Sequence, residues 1–135
     1  MKKINFHLFK HIKLLYVEDD LMTQEEVSFF LQKYLGELYL AKNGEEAINI
    51  FLKNKIDMII TDIQMPKMNG LEMSKRILEI NPKIPIIITT AYNDCEYLNQ
   101  AMELGIDKYI SKPFNLETLL TMIEKSLPLE YKVEK

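Results

Sequence analysis

The sequence predicts an α/β domain built on a single, doubly wound, five-stranded parallel sheet. Two kinds of segment alternate along its 135 residues: short continuous apolar runs, and segments with apolar residues at helical spacing. Strands that are buried on both faces read as continuous apolar runs, because helices cover both sides of a parallel sheet. Five strand–helix pairs of this kind imply right-handed crossovers within one sheet. A chain of this length fits one such domain.

Five apolar runs predict the strands in chain order. The first, third and fourth runs are strongly apolar and lie at 14–17, 58–60 and 86–88. The second and fifth runs, at 38–40 and 109–110, are weaker and indicate shorter or edge strands. The predicted strands are β1 12–17, β2 37–41, β3 58–62, β4 85–89 and β5 108–110.

The segments that follow the strands have apolar residues at helical spacing. The most regular stripe starts at Val27 and continues at i+3, i+4, i+7 and i+8. Gly36 and Gly105 follow helical stripes and predict left-handed C-caps. Asn115 predicts an N-cap, and Pro82 stops the third helix. The predicted helices are α1 21–35, α2 44–54, α3 70–80, α4 94–104 and α5 116–126.

The predicted domain spans residues 12–127. Residues 1–11 precede the first strand and form an N-terminal extension to which the sequence gives no role. Residues 128–135 are polar and are expected to be a C-terminal tail or the start of a linker. The apolar stretch near the start is interrupted by Lys10 and Lys13, so it does not resemble a signal peptide.

Composition excludes several classes of protein. The hydrophobic fraction of 47% argues against disorder, and the net charge of −3 argues against a domain that binds nucleic acid directly. Cys95 is the single cysteine, which rules out an intramolecular disulfide framework and a zinc site with several cysteines. No segment is long and apolar enough to span a membrane. The single cysteine fits a reducing, cytoplasmic setting, and we expect no membrane partner.

Polar side chains follow four of the predicted strands. They are Glu18 and Asp19 after β1, Asp62 at the end of β3, Thr90 after β4 and Lys112 after β5. Open α/β sheets bind ligands at the carboxyl ends of their strands. In a doubly wound sheet of this size β1 and β3 are expected to be neighbours, which would bring the three carboxylates together.

Carboxylates that lie close together repel one another. They stay ionised only if a cation joins them; otherwise one of them becomes protonated. Mg²⁺ suits such an oxygen site, and Mn²⁺ is a credible substitute. The alternative is that Glu18, Asp19 and Asp20 merely cap helix α1, whose N-terminus favours anions. The acidic run taken alone does not decide between these interpretations.

Five pieces of the sequence, in order and at matching spacing, resemble the response-regulator receiver domain, the phospho-accepting module of two-component signalling. The pieces are LLYVEDD at 14–20, IITDIQMP at 59–66, MNG at 68–70, IIITTA at 86–91 and YISKPF at 109–114. The resemblance covers residues from about 12 to about 127. It implies a flavodoxin-like fold with strand order 2-1-3-4-5.

The resemblance also implies a role for each matching residue. Asp62 would accept a phosphoryl group from a phosphohistidine on a sensor histidine kinase or a phosphotransfer protein. Glu18, Asp19, Asp62 and the backbone carbonyl of Gln64 would bind Mg²⁺. Lys112 would pair with the phosphoryl group, and the Lys112–Pro113 bond would be cis. The protein would be a signalling module rather than an enzyme, with at most weak self-catalysed phosphoryl transfer and dephosphorylation.

Two further sets of residues are expected to act around the acceptor. Thr90 would donate its hydroxyl to the phosphoryl group while the Tyr109 ring turns inward, which would reshape the α4-β5-α5 face for a downstream protein or effector domain. A static, half-buried Tyr109 is the alternative. Gln64, Ala91 and Tyr92 would line the rim, where bulky Tyr92 would slow hydrolysis.

Other functions fit the same residues less well. A haloacid-dehalogenase-like phosphatase needs Asp-x-Asp after its first strand, where this chain has Glu18-Asp19-Asp20. A flavodoxin needs a hydroxyl-rich phosphate loop there, and three acids would repel the phosphate. A receiver-like binding module that works without phosphorylation remains the main alternative.

The predicted signalling face departs from one subgroup of receivers. Many receivers of winged-helix transcription factors have an acidic residue where this chain has Lys108. They often have an arginine where it has Met122. Because their shared symmetric dimer uses such charged pairs, we expect this chain to be a monomer.

Overall fold

The computed structural model describes residues 6–91 and 94–128. Five parallel strands form one sheet in the order β2-β1-β3-β4-β5. Helices pack on both faces of this sheet, and the described residues contain five α-helices and one short 3-10 helix. The predicted fold class and strand order are therefore confirmed.

The observed elements have the following bounds. The strands are β1 Lys13–Val17, β2 Glu37–Ala41, β3 Met58–Asp62, β4 Ile86–Thr90 and β5 Lys108–Ser111. The α-helices are α1 Leu21–Leu31, α2 Gly44–Lys53, α3 Gly70–Ile80, α4 Cys95–Glu103 and α5 Leu116–Ser126. Apart from the end of α1, every bound lies within about one residue of the predicted one, which is finer than sequence patterns usually resolve.

Helix α1 is shorter than predicted and ends at Leu31 rather than at residue 35. The amides of Lys33 and Tyr34 donate only three residues back, to the carbonyls of Phe30 and Leu31, at 3.3 and 3.0 Å. This tightening is a common way for a helix to end. Leu35 is nevertheless buried, so the apolar stripe continues past the helix that it predicts.

Gly36 does not form the left-handed C-cap expected from its position. Gly105, with φ of 87°, is the single glycine in the described residues that has a positive φ. The reason for glycine at position 36 is a close approach: a Cβ there would lie 2.4 Å from the carbonyl oxygen of Lys10. Its amide donates to the carbonyls of Phe9 and Ile12 at 3.2 and 3.1 Å.

Two apolar cores lie on the two faces of the sheet because strand side chains alternate. Leu15 and Val17 of β1 face the core that contains residues of α2, α3 and α4. Leu14 and Tyr16 face the core that contains residues of α1 and α5. The central strands are covered on both sides, which explains their continuous apolar runs.

The segment before β1 is ordered against the second core. Phe6–His11 forms the 3-10 helix, and Phe9 within it is completely buried. The Phe6 ring stacks on Tyr34 with a centroid distance of 4.8 Å. No role is predicted for this segment from its sequence, whereas in the structure it packs at the amino end of the sheet.

Strand pairing determines which side chains meet at the carboxyl edge. β1 and β3 are neighbours with Val17 opposite Thr61, so the residues that follow them emerge side by side. Asp62 of β3 pairs with Thr89 of β4. Over residues 6–91 and 94–128, no helix combines the length and the apolar character needed to cross a bilayer.

Candidate functional site

Three carboxylates converge where β1 and β3 end. Glu18, Asp19 and Asp62 each offer an oxygen, and these oxygens lie within 4.8 Å of one another. Glu18 and Asp62 are buried, whereas Asp19 is exposed to solvent. The three acidic residues thus lie close together, as the sequence predicts.

Lys112 joins two of the three carboxylates. Its Nζ donates to Glu18 Oε1 at 3.0 Å and to Asp62 Oδ2 at 2.8 Å. Its backbone amide donates to the carbonyl of Thr90 at 2.7 Å, which fixes the end of β5 beside β4. The Lys112–Pro113 peptide bond is cis, as expected. A single ammonium group therefore bridges residues that come from β1 and β3.

Burial strongly affects protonation in this cluster. Burial raises the pKa of Glu18 to about 7, although the hydrogen bond from Lys112 acts in the opposite direction. The nearby charge of Asp62 contributes to this rise in the pKa. For Lys112, burial alone would lower the pKa, but the hydrogen bonds and charges of Asp62 and Glu18 outweigh it and raise the pKa above the usual value.

The capping alternative applies to one acid only. Asp20 is the N-cap of α1 and accepts a hydrogen bond from the amide of Thr23 at 3.2 Å. Its amide in turn donates to Glu18 Oε2 at 3.2 Å, which helps to orient that carboxylate. Asp20 thus caps the helix, and Glu18 is directed into the cluster instead.

The cluster fits a divalent cation in charge and in donor type. With all groups ionised, three carboxylates face one ammonium group, so two negative charges remain uncompensated. Carboxylate oxygens are the hard donors that Mg²⁺ takes. The exposure of Asp19 leaves the cluster open to solvent on one side.

The loop after β3 holds the Asp62 carboxylate in place. Asp62 Oδ1 accepts from the amide of Ile63 at 2.8 Å, while Oδ2 accepts from Lys112. The amide of Gly70 donates to the carbonyl of Ile63 at 2.8 Å. A Cβ at Gly70 would lie 2.0 Å from the carbonyl oxygen of Asp62, so this contact requires glycine.

The residues expected to switch occupy different environments. Thr90 is the last residue of β4 and is buried at 3% exposure. Tyr109 in β5 is 51% exposed, with its ring outside the core. Ala91 and Gln64 are both exposed beside the site. Tyr92, expected at the rim, lies outside the described residues.

Asp94 is a site residue that sequence reasoning missed. It is 1% exposed; its Oδ1 accepts from Gln64 Nε2 at 2.5 Å and its Oδ2 from the amide of Ala91 at 2.6 Å. The sequence signal is ambiguous, because an Asp at the start of a helix is usually read as an ordinary N-cap. Asp94 occupies that position but makes no capping hydrogen bond with its side chain.

Comparisons with known proteins find a matching family model and similar sequences. The family model described as "Response regulator receiver domain" matches residues 14–124. The chain is 36% identical to the transcriptional regulatory protein RprY of Bacteroides fragilis, covering 86% of this chain and 49% of that protein. It is 30% identical to sporulation initiation phosphotransferase F of Bacillus subtilis, covering 87% of this chain and 95% of that protein.

Solved structures of similar sequence share this fold. Chemotaxis protein CheY4 of Vibrio cholerae matches with a TM-score of 0.81 and 32% identity, covering 87% of this chain and 99% of that one. The response regulator TrrA of Thermotoga maritima, solved in complex with Mg²⁺–BeF, matches with a TM-score of 0.77 and 32% identity, covering 86% and 99%. Some curated relatives are longer, since the chain spans 49% of RprY and 30% of a cyclic di-GMP phosphodiesterase of Thermotoga maritima.

Proposed function

Since the chain belongs to the response regulator receiver domain family, we propose that it accepts a phosphoryl group on Asp62 and thereby switches a protein-binding face. The observation that carries this proposal is the Lys112 ammonium group between Glu18 and Asp62, at 3.0 and 2.8 Å. It holds the acceptor carboxylate in a fixed orientation. It also supplies a positive charge where a phosphoryl group on Asp62 would add negative charge.

The transfer is an in-line displacement at phosphorus. An Asp62 carboxylate oxygen forms a bond to phosphorus as the bond from phosphorus to the imidazole nitrogen of a phosphohistidine breaks. The imidazole leaves and takes up a proton from solvent. The partner is a sensor histidine kinase or a phosphotransfer protein, which is the donor chemistry that the family implies.

Glu18, Asp19, Asp62 and the backbone carbonyl of Gln64 would hold Mg²⁺, or Mn²⁺ in its place. The bound ion would neutralise negative charge on the phosphoryl oxygens. The three carboxylate oxygens within 4.8 Å of one another support this assignment. The relative TrrA, solved with Mg²⁺–BeF, supports it as well.

The output is a change on the α4-β5-α5 face. Thr90 is buried at the end of β4, and Tyr109 is 51% exposed on the neighbouring strand. An inward turn of the Tyr109 ring would therefore remove an exposed aromatic side chain from that face. The target is a downstream protein or an effector domain. We propose that the domain of residues 12–127 works as a monomer in the cytoplasm, and that Tyr92 at the rim slows loss of the phosphoryl group.

Intact-mass measurement after incubation with acetyl phosphate and Mg²⁺ tests the acceptor. The parent protein should gain one phosphoryl group, and EDTA should abolish the gain. Asp62→Asn should not be labelled, whereas Asp107→Asn, a control at an exposed aspartate, should label like the parent. Labelling of Asp62→Asn would refute the assignment. A folded parent that never labels would favour the binding module that works without phosphorylation.

A further inference from the structure

A buried carboxylate outside the acidic cluster connects two loops beside the acceptor. Asp94 is 1% exposed and lies just before α4. One of its oxygens accepts from the side-chain amide of Gln64, in the loop after β3, at 2.5 Å. The other accepts from the backbone amide of Ala91, directly after β4, at 2.6 Å. β3 and β4 are neighbouring strands, so this bridge lies between the two loops that follow them.

Burying the Asp94 carboxylate costs free energy unless its oxygens receive hydrogen bonds. A buried carboxylate loses hydration, and hydrogen bonds to it must compensate. An Asp at a helix start can obtain such bonds from the first amides of its own helix. Asp94 does not do so. Both of its side-chain oxygens instead bind donors of the loops that flank Asp62.

We propose that Asp94 is a positioning residue that holds Gln64 and Ala91 together across the mouth of the acceptor site and so restricts access to Asp62. The inference rests on the proposed function of Asp62. Gln64 lies two residues after the acceptor and Ala91 one residue after Thr90. Gln64 and Ala91 are both exposed, so the loops that Asp94 ties together reach the surface beside the acceptor, while the cluster stays open at Asp19.

Restricted access matters for both the gain and the loss of the phosphoryl group. In hydrolysis, a water oxygen forms a bond to phosphorus as the bond to the Asp62 carboxylate oxygen breaks. Inorganic phosphate leaves, the carboxylate is regenerated, and the proton of the water passes to phosphate or solvent. The attacking molecule must approach opposite the bond that breaks. A closed rim slows this approach for water and for a small phosphodonor alike.

The experiment compares rates of labelling by acetyl phosphate and rates of decay after its removal, by intact mass at fixed Mg²⁺. Asp94→Ala and Gln64→Ala should each raise both rates by about threefold or more, a modest change in barrier. The double variant should change them no more than the larger single variant, because both substitutions remove the same bridge. Glu96→Ala, which removes an exposed carboxylate in the first turn of α4, is the matched control and should behave like the parent.

A conservative variant separates positioning from simple destabilisation. In Asp94→Asn the side-chain oxygen can still accept from the amide of Ala91. The new side-chain NH₂ group can donate to the side-chain oxygen of Gln64 once the Gln64 amide has rotated. The labelling and decay rates of Asp94→Asn should therefore stay close to those of the parent. If Asp94→Ala fails to fold, Gln64→Ala and Asp94→Asn still carry the test.

Two results would overturn the inference. The first is parental rates in Gln64→Ala. The second is additive effects of the two alanine variants, which would mean that Asp94 does not act through Gln64. Both presuppose a parent that labels at Asp62, so they differ from failure of the proposed function, in which the parent itself is not labelled.

Discussion

Binding of Mg²⁺ should draw a proton from Glu18, and the Mg²⁺ affinity should therefore depend on pH near neutrality. Burial raises the pKa of Glu18 to about 7, so the metal-free protein carries a proton there in much of the population at neutral pH. A carboxylate must lose its proton to bind a cation, and metal binding therefore releases protons. Few carboxylates would show this effect, because an ordinary glutamate is already ionised.

The size of the effect follows from this pKa. With a value of about 7, Glu18 is ionised in about one tenth of molecules at about pH 6 and in about nine tenths at about pH 8. The apparent association constant for Mg²⁺ should rise about tenfold over that interval, which corresponds to about 1.4 kcal/mol.

The same group affects stability in the metal-free protein. The folded pKa of Glu18 is above its ordinary value of 4.5, so the folded state binds more protons than the unfolded state between these values. The contribution to the free energy of unfolding is fully present below about pH 4.5 and is lost as the pH rises through about 7. Saturating Mg²⁺ should reduce this dependence of the free energy of unfolding on pH.

Titration calorimetry at about pH 6, 7 and 8, in pairs of buffers with different protonation enthalpies, measures both the affinity and the number of protons released. Glu18→Gln should bind Mg²⁺ more weakly, and its affinity should vary little with pH. An affinity of the parent that is flat from pH 6 to 8, with no proton release, would refute the reasoning.

Three further substitutions test other parts of the structure. Lys112→Ala should leave the fold intact but uncouple phosphorylation from the switch; amide shifts in α4 and β5 that still match the phosphorylated parent would contradict this. Gly70→Ala should lower the free energy of unfolding in urea by about 2 kcal/mol or more, since its Cβ would meet a backbone oxygen at 2.0 Å; a loss well below about 1 kcal/mol would count against the clash. Tyr16→Phe should raise the free energy of unfolding by about 1 kcal/mol, because the buried Tyr16 hydroxyl has no hydrogen-bond partner among the described residues; an unchanged or lower value would indicate a partner such as water.

Most of the fold was predictable because each central strand is buried on both faces. The apolar runs at β1, β3 and β4 follow directly from that burial. The carboxyl ends of parallel strands share one edge, so the convergence of Glu18, Asp19, Asp62 and Lys112 was also predictable. The roles of these residues in phosphoryl transfer stay predictions.

The failures have a common physical origin in contacts between distant segments. Leu35 is apolar because it is buried, and a periodicity argument cannot tell a buried turn residue from a buried helix residue. Gly36 is needed because the carbonyl of Lys10 lies next to it, and no local rule contains that contact. Asp94 satisfies the local rule for an N-cap, and only the tertiary structure reveals that its oxygens bind Gln64 and Ala91.

The 3-10 helix before β1 has a practical consequence for anyone who dissects a longer receiver protein into pieces. Similarity to the family begins at residue 14, yet Phe9 is fully buried in the core between the sheet and helices α1 and α5. A fragment cut at the start of the first strand would leave a hole the size of a phenylalanine ring and expose the backbone around Gly36. The physical edge of this module therefore lies earlier than the edge that sequence matching detects, and fragments should begin before Phe6.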